Sequence, residues 1–176
     1  MHAPEAFRRQ LLDTIPRLRR YARSLVFDAS LADDLTQNAL ERALMHWQQF
    51  DQRRDLLVWV LSIAHNAHLD GRRRDAKLSI TDPDDLARTQ DRDGGSPGTD
   101  VGLRLDLLAA LRRLSPEQRE PLLLVCVEQL SYAEVAAVMN IPVGTVMSRV
   151  CRARAVLRQF LDDGSRPSAP TLRRVV

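Results

Sequence analysis

The most informative stretch of the chain runs from Leu130 to Leu161 and reads LSYAEVAAVMNIPVGTVMSRVCRARAVLRQFL. Ser131, followed three residues later by Glu134, is a capping box, the pattern with which many helices begin. The Asn-Ile-Pro run that follows ends this short helix, and a longer helix is predicted from about Val143 to the end of the stretch. A short helix, a tight turn and a longer helix are typical of a helix-turn-helix unit.

The longer helix is strongly basic, since it carries four arginines and no acidic residue. Guanidinium groups neutralise phosphates and pair bidentately with guanine, and the N-terminal half of such a helix lies in the major groove of duplex DNA. A run of charge is more often an ordinary solvated face, but the capped short helix and the turn at Pro142 favour DNA binding. The predicted contacts to duplex DNA come from Thr145, Met147, Ser148, Arg149, Cys151, Arg152 and Arg154.

Five more helices are predicted upstream, because apolar residues recur there at three- and four-residue spacing. We expect the first to be kinked or split at Pro16. The second carries an apolar stripe of Leu31, Leu35, Leu40, Leu44 and Trp47. The five helices are expected to begin near Phe7, Ser30, Asp55, Asp100 and Ser115. The fold class is therefore expected to be all-α.

The composition changes between Ser79 and Asp100, where six Asp stand against two Arg and a Gly-Gly-Ser-Pro-Gly run has no periodicity. We therefore expect a flexible acidic linker over residues 78–100, joining two small helical domains over residues 1–77 and 101–163. The tail, residues 164–176, is expected to be disordered.

Composition and motifs narrow the classes of function. The chain of 176 residues is 44% hydrophobic and has a net charge of +3, which permits a polyanionic partner. Cys126 and Cys151 lack the spacing of a disulfide framework, and no apolar run is long enough for a signal peptide or a membrane span, so a cytoplasmic protein is expected. His65 and His68 have no further ligand nearby in sequence, and phosphate-loop and nucleophile motifs are missing, so no metal, cofactor or enzyme active site is expected.

The C-terminal part resembles region 4 of the ECF (extracytoplasmic function) sigma factors of bacterial RNA polymerase. The resemblance rests on three motifs in order, at Leu114–Glu120 (LSPEQRE), Leu130–Ala136 (LSYAEVA) and Pro142–Arg154. The family usually has Lys or Arg where Met147 stands. By this resemblance, the helix from Val143 contacts the −35 element of promoters.

The N-terminal part is similar to region 2 of the same family. Ala32–Gln37 (ADDLTQ) resembles the start of the helix that docks on the clamp coiled coil of the polymerase β′ subunit, with Asn38 where Glu is usual. Trp59–Asn66 (WVLSIAHN), followed by Asp70 and a run of three arginines, resembles the helix that contacts the melted −10 element. Trp59 itself is expected to be a core residue rather than a stacking platform for a base.

The resemblance implies an alternative sigma factor that directs transcription initiation at particular promoters, with a subgroup closest to general-stress sigma factors. The implied partners are core RNA polymerase (β′ clamp coiled coil and β subunit), promoter DNA and an anti-sigma factor. The implied residues for docking on core polymerase are Asp33, Asp34, Gln37 and Arg42. The implied residues for the −10 element are Gln52, Arg53, Arg54, Asn66, Asp70 and Arg73.

Two other functions compete with this interpretation. One is a stand-alone helix-turn-helix regulator that binds operators as a dimer, and the match of the N-terminal part argues against it. The other is a sigma mimic that sequesters an anti-sigma factor. Such decoys usually lose the basic recognition helix, whereas this chain keeps its arginines.

Overall fold

The computed structural model describes residues 3–79 and 101–164, and within them the side chains of residues 3–74 and 107–160. The described residues form a short 3-10 helix, Trp47–Gln49, and seven α-helices: α1 (Glu5–Val26), α2 (Ala29–Met45), α3 (Leu56–Ser79), α4 (Val101–Arg113), α5 (Pro116–Cys126), α6 (Tyr132–Met139) and α7 (Val143–Gly164). The expected all-α class is confirmed. Residues 80–100 of the predicted linker and residues 165–176 of the predicted tail lie outside the described residues. Within the described parts, no helix combines the length and the apolar character needed to cross a membrane.

Helix α1 buries the predicted apolar stripe against α2 and α3. Phe7, Leu11, Leu18 and Leu25 are buried, and the helix is continuous across Pro16. The helix is therefore not split at Pro16, which was one of the two predicted outcomes. Its end is a left-handed residue, Phe27, with φ of 57°.

Helix α2 differs from the prediction at its start and on its buried face. Its N-cap is Asp28, whose carboxylate accepts a hydrogen bond from the backbone N–H of Leu31 at 2.8 Å, whereas Ser30 is exposed. The side chain of Leu31 is 57% exposed, and the predicted stripe is wrong in this part. The buried face instead consists of the small residues Ala32, Thr36, Ala39 and Ala43. Small side chains allow close helix packing, so size rather than hydrophobicity selects the face that contacts α1 and α3.

The helix-turn-helix prediction agrees with α6 and α7. The Ser131 hydroxyl accepts a hydrogen bond from the backbone N–H of Glu134, and the Glu134 carboxylate accepts one from the backbone N–H of Ser131 at 2.7 Å. The Ser131 hydroxyl also donates to the Glu134 carboxylate at 2.6 Å, and this bond, followed by the one from the Ser131 backbone N–H, holds the pKa of Glu134 below its ordinary value. Helix α6 ends at Asn140, which is left-handed with φ of 52°, and α7 begins three residues later. The sequence signals therefore lie where the chain turns.

The N-terminal helices (α1–α3) pack directly against the C-terminal helices (α4–α7), and we call this packing the closed arrangement. Helix α1 contacts α5, and α3 contacts α6. At one edge, the Arg119 guanidinium lies over the Phe27 ring, 4.5 Å from its centroid, and donates a hydrogen bond to the Leu25 carbonyl. The closed arrangement brings residues about a hundred positions apart into contact.

Candidate nucleic-acid interface

Helix α7 has a buried face and an exposed face that alternate with the helical repeat. Val146 and Val150 are buried on one side. On the other side Met147 is 52% exposed, and Cys151 and Arg152 are also exposed. Since residues four apart share a helix face, Met147 and Cys151 lie on one face, and Arg152 follows Cys151 at its edge, so the three exposed side chains form a continuous surface at the N-terminal half of α7. This is the part of a recognition helix that enters a major groove.

Arg152 is held against its own helix. Its Nε donates to the backbone carbonyl of Ser148, and its Nη2 donates to the Ser148 hydroxyl, both at 3.3 Å. That hydroxyl in turn donates to the carbonyl of Thr145 at 3.0 Å. Both Thr145 and Ser148 are half-buried, so they orient Arg152 more than they extend the exposed surface.

The other two predicted arginines of α7 contact α5. Arg149 pairs with Glu117 at 3.2 Å near the start of α5. The Arg154 guanidinium lies 3.9 Å from the Sγ of Cys126 at the end of α5. The seven predicted residues therefore separate into an exposed surface of three, a flank of two next to α5, and the half-buried Thr145 and Ser148.

An open cleft of about 740 Å³ lies between α1 and the loop that precedes α3. Of the predicted −10 residues, Gln52 and Arg54 line this cleft, together with Arg17 of α1. The other predicted residues do not line it: Arg53 in the same loop, and Asn66, Asp70 and Arg73 on α3. Arg17 was missed by sequence reasoning, because only the tertiary fold places α1 beside this loop.

Four aromatic rings pack together beside the cleft, and three of them line it. The Phe50 ring lies 5.3 Å from that of Trp59 and 5.9 Å from that of Phe7, and Trp47 packs 6.5 Å from Phe7. Trp59 is half-buried and packs against the core, as expected. Phe7, Trp47 and Phe50 also line the cleft, so aromatic side chains share its wall with polar ones that include Asp13 and Asp55.

The predicted polymerase-docking residues on α2 fall into two pairs. Asp34 and Gln37 are exposed. Asp33 instead accepts two hydrogen bonds from Arg19 of α1, and Arg42 lies 3.7 Å from Asp70 of α3. The second pair therefore also joins α2 to its neighbours.

Two buried glutamates lie where the N-terminal and C-terminal helices meet, and sequence reasoning missed both. The Glu120 carboxylate accepts a short hydrogen bond from the Tyr21 hydroxyl and lies 2.6 Å from Nδ1 of His65. Burial, followed by the Glu120 charge, raises the pKa of Tyr21 well above its ordinary value. The side chain of Glu128 is 1% exposed and binds two arginines of α1.

His65 is thus bonded to a carboxylate of the C-terminal helices. Among the residues that the structure describes, no group of three or more His, Cys, Asp or Glu is arranged to hold a metal ion.

Comparison with known proteins identifies both parts of the chain. The family model described as "Sigma-70, region 4" matches residues 104–157, and the one described as "Sigma2 domain of PhyR" matches residues 11–65. The ECF RNA polymerase sigma factor EcfG of Rhodopseudomonas palustris is 35% identical, over 100% of this chain and 98% of that protein.

Among solved structures, two chains in complexes are similar to this chain, and one of them is a sigma factor. The sigma factor RpoE of Bartonella quintana, solved with the anti-sigma factor NepR, has a TM-score of 0.76 and 28% identity, covering 90% of this chain and 98% of its own. CnrH, solved with the cytosolic domain of CnrY, has a TM-score of 0.67 and 26% identity, covering 91% of this chain and 90% of its own. Sequence and structure agree over nearly the whole length, and the chain belongs to the ECF sigma factor family of bacterial RNA polymerase.

Proposed function

We propose that this chain is a cytoplasmic alternative sigma factor, without enzymatic activity of its own, that binds core RNA polymerase and directs it to particular promoters. The observation that carries the proposal is the exposed, basic N-terminal half of α7 in a chain that matches an ECF sigma factor over its entire length. A polymerase-binding region and a helix-turn-helix unit in one chain are what promoter selection requires.

The surface formed by Met147, Cys151 and Arg152 is the proposed contact with base edges of the −35 element. Arg152 carries the donors that pair with guanine, and its hydrogen bonds to Ser148 fix its direction before DNA arrives. Arg149 and Arg154 lie on the flank, where contact with phosphates is the more suitable role.

The cleft beside the loop is the proposed site for an unstacked base of the −10 element. Single strands bind where aromatic rings offer stacking surfaces next to positive charge. The aromatic side chains that line the cleft supply the stacking surfaces, and Arg54 supplies the positive charge. Gln52 adds hydrogen-bonding groups. Asn66 and Arg73, which are exposed on α3, then contact the strand outside the cleft.

Helix α2 is the proposed docking surface for the clamp coiled coil of the β′ subunit. Asp34 and Gln37 are exposed there, and so are the large apolar side chains of Leu31, Leu44 and Met45. Apolar side chains exposed together with polar ones are typical of a protein–protein interface.

Promoter recognition requires the closed arrangement to open. The −10 and −35 elements lie about 25 base pairs apart, which is roughly 85 Å of duplex at about 3.4 Å per base pair. A compact chain of this length has a radius of gyration of only about 16 Å. The closed arrangement is therefore the form that we propose an anti-sigma factor holds, since the similar sigma factor RpoE was solved with the anti-sigma factor NepR.

A decoy that captures an anti-sigma factor is the second candidate, favoured by the match of residues 11–65 to the Sigma2 domain of PhyR. The exposed Arg152 surface favours a sigma factor, because a decoy has no use for base contacts.

Transcription in vitro tests the proposal directly. Purified core polymerase is supplied with a pool of genomic promoters, with and without this chain, and the start sites are mapped. New starts that share −35 and −10 sequences are the expected result. No new starts, together with tight binding to duplex DNA alone, would indicate a stand-alone regulator; no new starts with binding only to an anti-sigma factor would indicate a decoy.

A further inference from the structure

Glu128, in the segment between α5 and α6, binds two arginines of α1 at the same time. Its Oε1 accepts from Arg20 Nε at 2.9 Å, and its Oε2 accepts from Arg20 Nη2 at 3.1 Å and from Arg17 Nε at 3.0 Å. Arg17 also donates from Nη2 to the backbone carbonyl of Glu128. Four hydrogen bonds thus converge on one residue of the C-terminal helices, and its carboxylate is withdrawn from water.

One of the two arginines, Arg17, belongs to the wall of the cleft, and Arg20 is its neighbour on α1. Arg17 lines the cleft on the same helix face as Gln10 and Thr14, and Arg20 lies one helical turn further along α1. Both guanidinium groups remain about half exposed even in the closed arrangement. A strand whose base enters the cleft has its phosphates beside these two groups.

We propose that Arg17 and Arg20 form a phosphate-binding site for single-stranded DNA, and that Glu128 occupies this site in the closed arrangement. The inference rests on the proposed function and assigns two further DNA-binding residues to it. The guanidinium fork binds carboxylate and phosphate with the same paired geometry, so the Glu128 carboxylate stands where phosphate oxygens bind. Phosphate oxygens therefore compete with the Glu128 carboxylate for the Nε and Nη2 donors that it occupies.

Competition for these arginines links strand capture to opening. A buried carboxylate that loses its partners is strongly unfavourable, so Glu128 stays in the site until the C-terminal helices move away. Movement of those helices exposes Glu128 to water and frees both arginines in one step. The second buried carboxylate, Glu120, has a hydroxyl and an imidazole as partners, and it offers no comparable phosphate site.

Binding of the full-length chain to a fluorescein-labelled, random-sequence single strand of about 20 nucleotides tests the inference by anisotropy over a series of salt concentrations. Glu128→Gln keeps the volume and removes the competing charge, and we expect about tenfold tighter binding, the effect of freeing a charge-assisted hydrogen-bonding site. The matched control is Glu5→Gln, which makes the same charge change at a side chain that is 84% exposed. Equal gains in the two variants would overturn the inference.

The arginines themselves are tested in the Glu128→Gln background. Arg17→Ala with Arg20→Ala is expected to make the negative slope of log K against log salt shallower by about 1.4. Each phosphate that is no longer neutralised removes about 0.7 from the magnitude of the slope. Arg9→Ala with Arg23→Ala removes the same charge from exposed positions of the same helix and is the control. A change in slope no larger than that of the control would overturn the site.

The test remains decisive if Glu128→Gln loses helix content. In that case Arg20→Ala, which leaves Glu128 paired with Arg17, is compared with Arg23→Ala as holoenzymes with core polymerase, and a difference of about 0.7 in slope is expected. Start-site mapping with the wild-type chain tests the proposed function independently. Normal start sites with unchanged slopes would remove the Arg17–Arg20 site and leave the sigma assignment in place.

Discussion

The arginines of α7 and those of α1 are held in opposite ways. On α7, Arg152 is bound by its own helix, and Arg149 pairs with Glu117, a side chain that is 74% exposed. On α1, Arg17 and Arg20 share one fully buried carboxylate supplied by the C-terminal helices. The surface proposed for duplex DNA is therefore ready in the closed arrangement, whereas the surface inferred for the single strand is covered until the chain opens.

The largest expected effect comes from removing the partners of the buried carboxylate. Arg17→Ala with Arg20→Ala leaves the charge of Glu128 buried and uncompensated, which costs about 3–5 kcal/mol. We expect a lower free energy of unfolding in urea, or separation of the N-terminal and C-terminal helices seen as a larger radius of gyration in solution scattering. Wild-type values in both measurements would mean that Glu128 does not hold the closed arrangement.

A smaller effect is expected on the exposed surface of α7. Arg152→Ala removes the proposed contact with guanine and weakens binding of the holoenzyme to its −35 element by about 1–3 kcal/mol, without weakening association with core polymerase. Filter binding on the promoter found by start-site mapping measures the first quantity, and co-purification with core polymerase measures the second. Unchanged promoter selectivity would contradict the assignment of α7 as the recognition helix.

The free energy of unfolding should depend on pH in the alkaline range through Tyr21, which is buried against the Glu120 carboxylate. Because burial and the Glu120 charge raise the pKa of Tyr21, the folded chain holds the neutral phenol, whereas the unfolded chain ionises near pH 10. The contribution of Tyr21 is thus fully present below about pH 10, and above it falls by about 1.4 kcal/mol per pH unit until the pKa of the folded state is reached. The stability advantage of the wild type over Tyr21→Phe should shrink over that range in urea unfolding. A difference in stability between wild type and Tyr21→Phe that stays constant with pH would show that the pKa of Tyr21 does not change on unfolding.

The two regions also differ in how far the sequence predicted them. The Ser131–Glu134 capping box depends on a spacing of three residues and agrees with the structure, and of the α7 residues predicted to contact DNA, Met147, Cys151 and Arg152 are exposed whereas Thr145 and Ser148 are half-buried. Local spacing did not predict the fully buried face of α2, which consists of small residues, whereas Leu35 and Leu40 of the predicted stripe are only partly buried and Leu31 and Leu44 are exposed.

Long-range contacts explain the rest of what the sequence did not predict. Glu128 lies in a segment that gives no sign of burial, because its partners are 108 and 111 residues away. For the same reason, residues predicted together for the −10 element are divided between the cleft and α3.

The smallest expected effect is at the ion pair between Arg149 of α7 and the exposed Glu117 of α5. Glu117→Gln releases Arg149 without leaving a buried charge, because Glu117 is largely in water, so the free energy of unfolding should change by no more than about 1 kcal/mol. We expect a larger loss of stability from the same Glu-to-Gln change at Glu128, because that carboxylate is buried and lies between two guanidinium groups. The two variants carry the same net charge, so urea unfolding at one pH and salt concentration isolates the effect of burial. If both lost equal stability, the buried carboxylate would be no different from a surface ion pair, and the distinction between a ready and a covered DNA surface would fail.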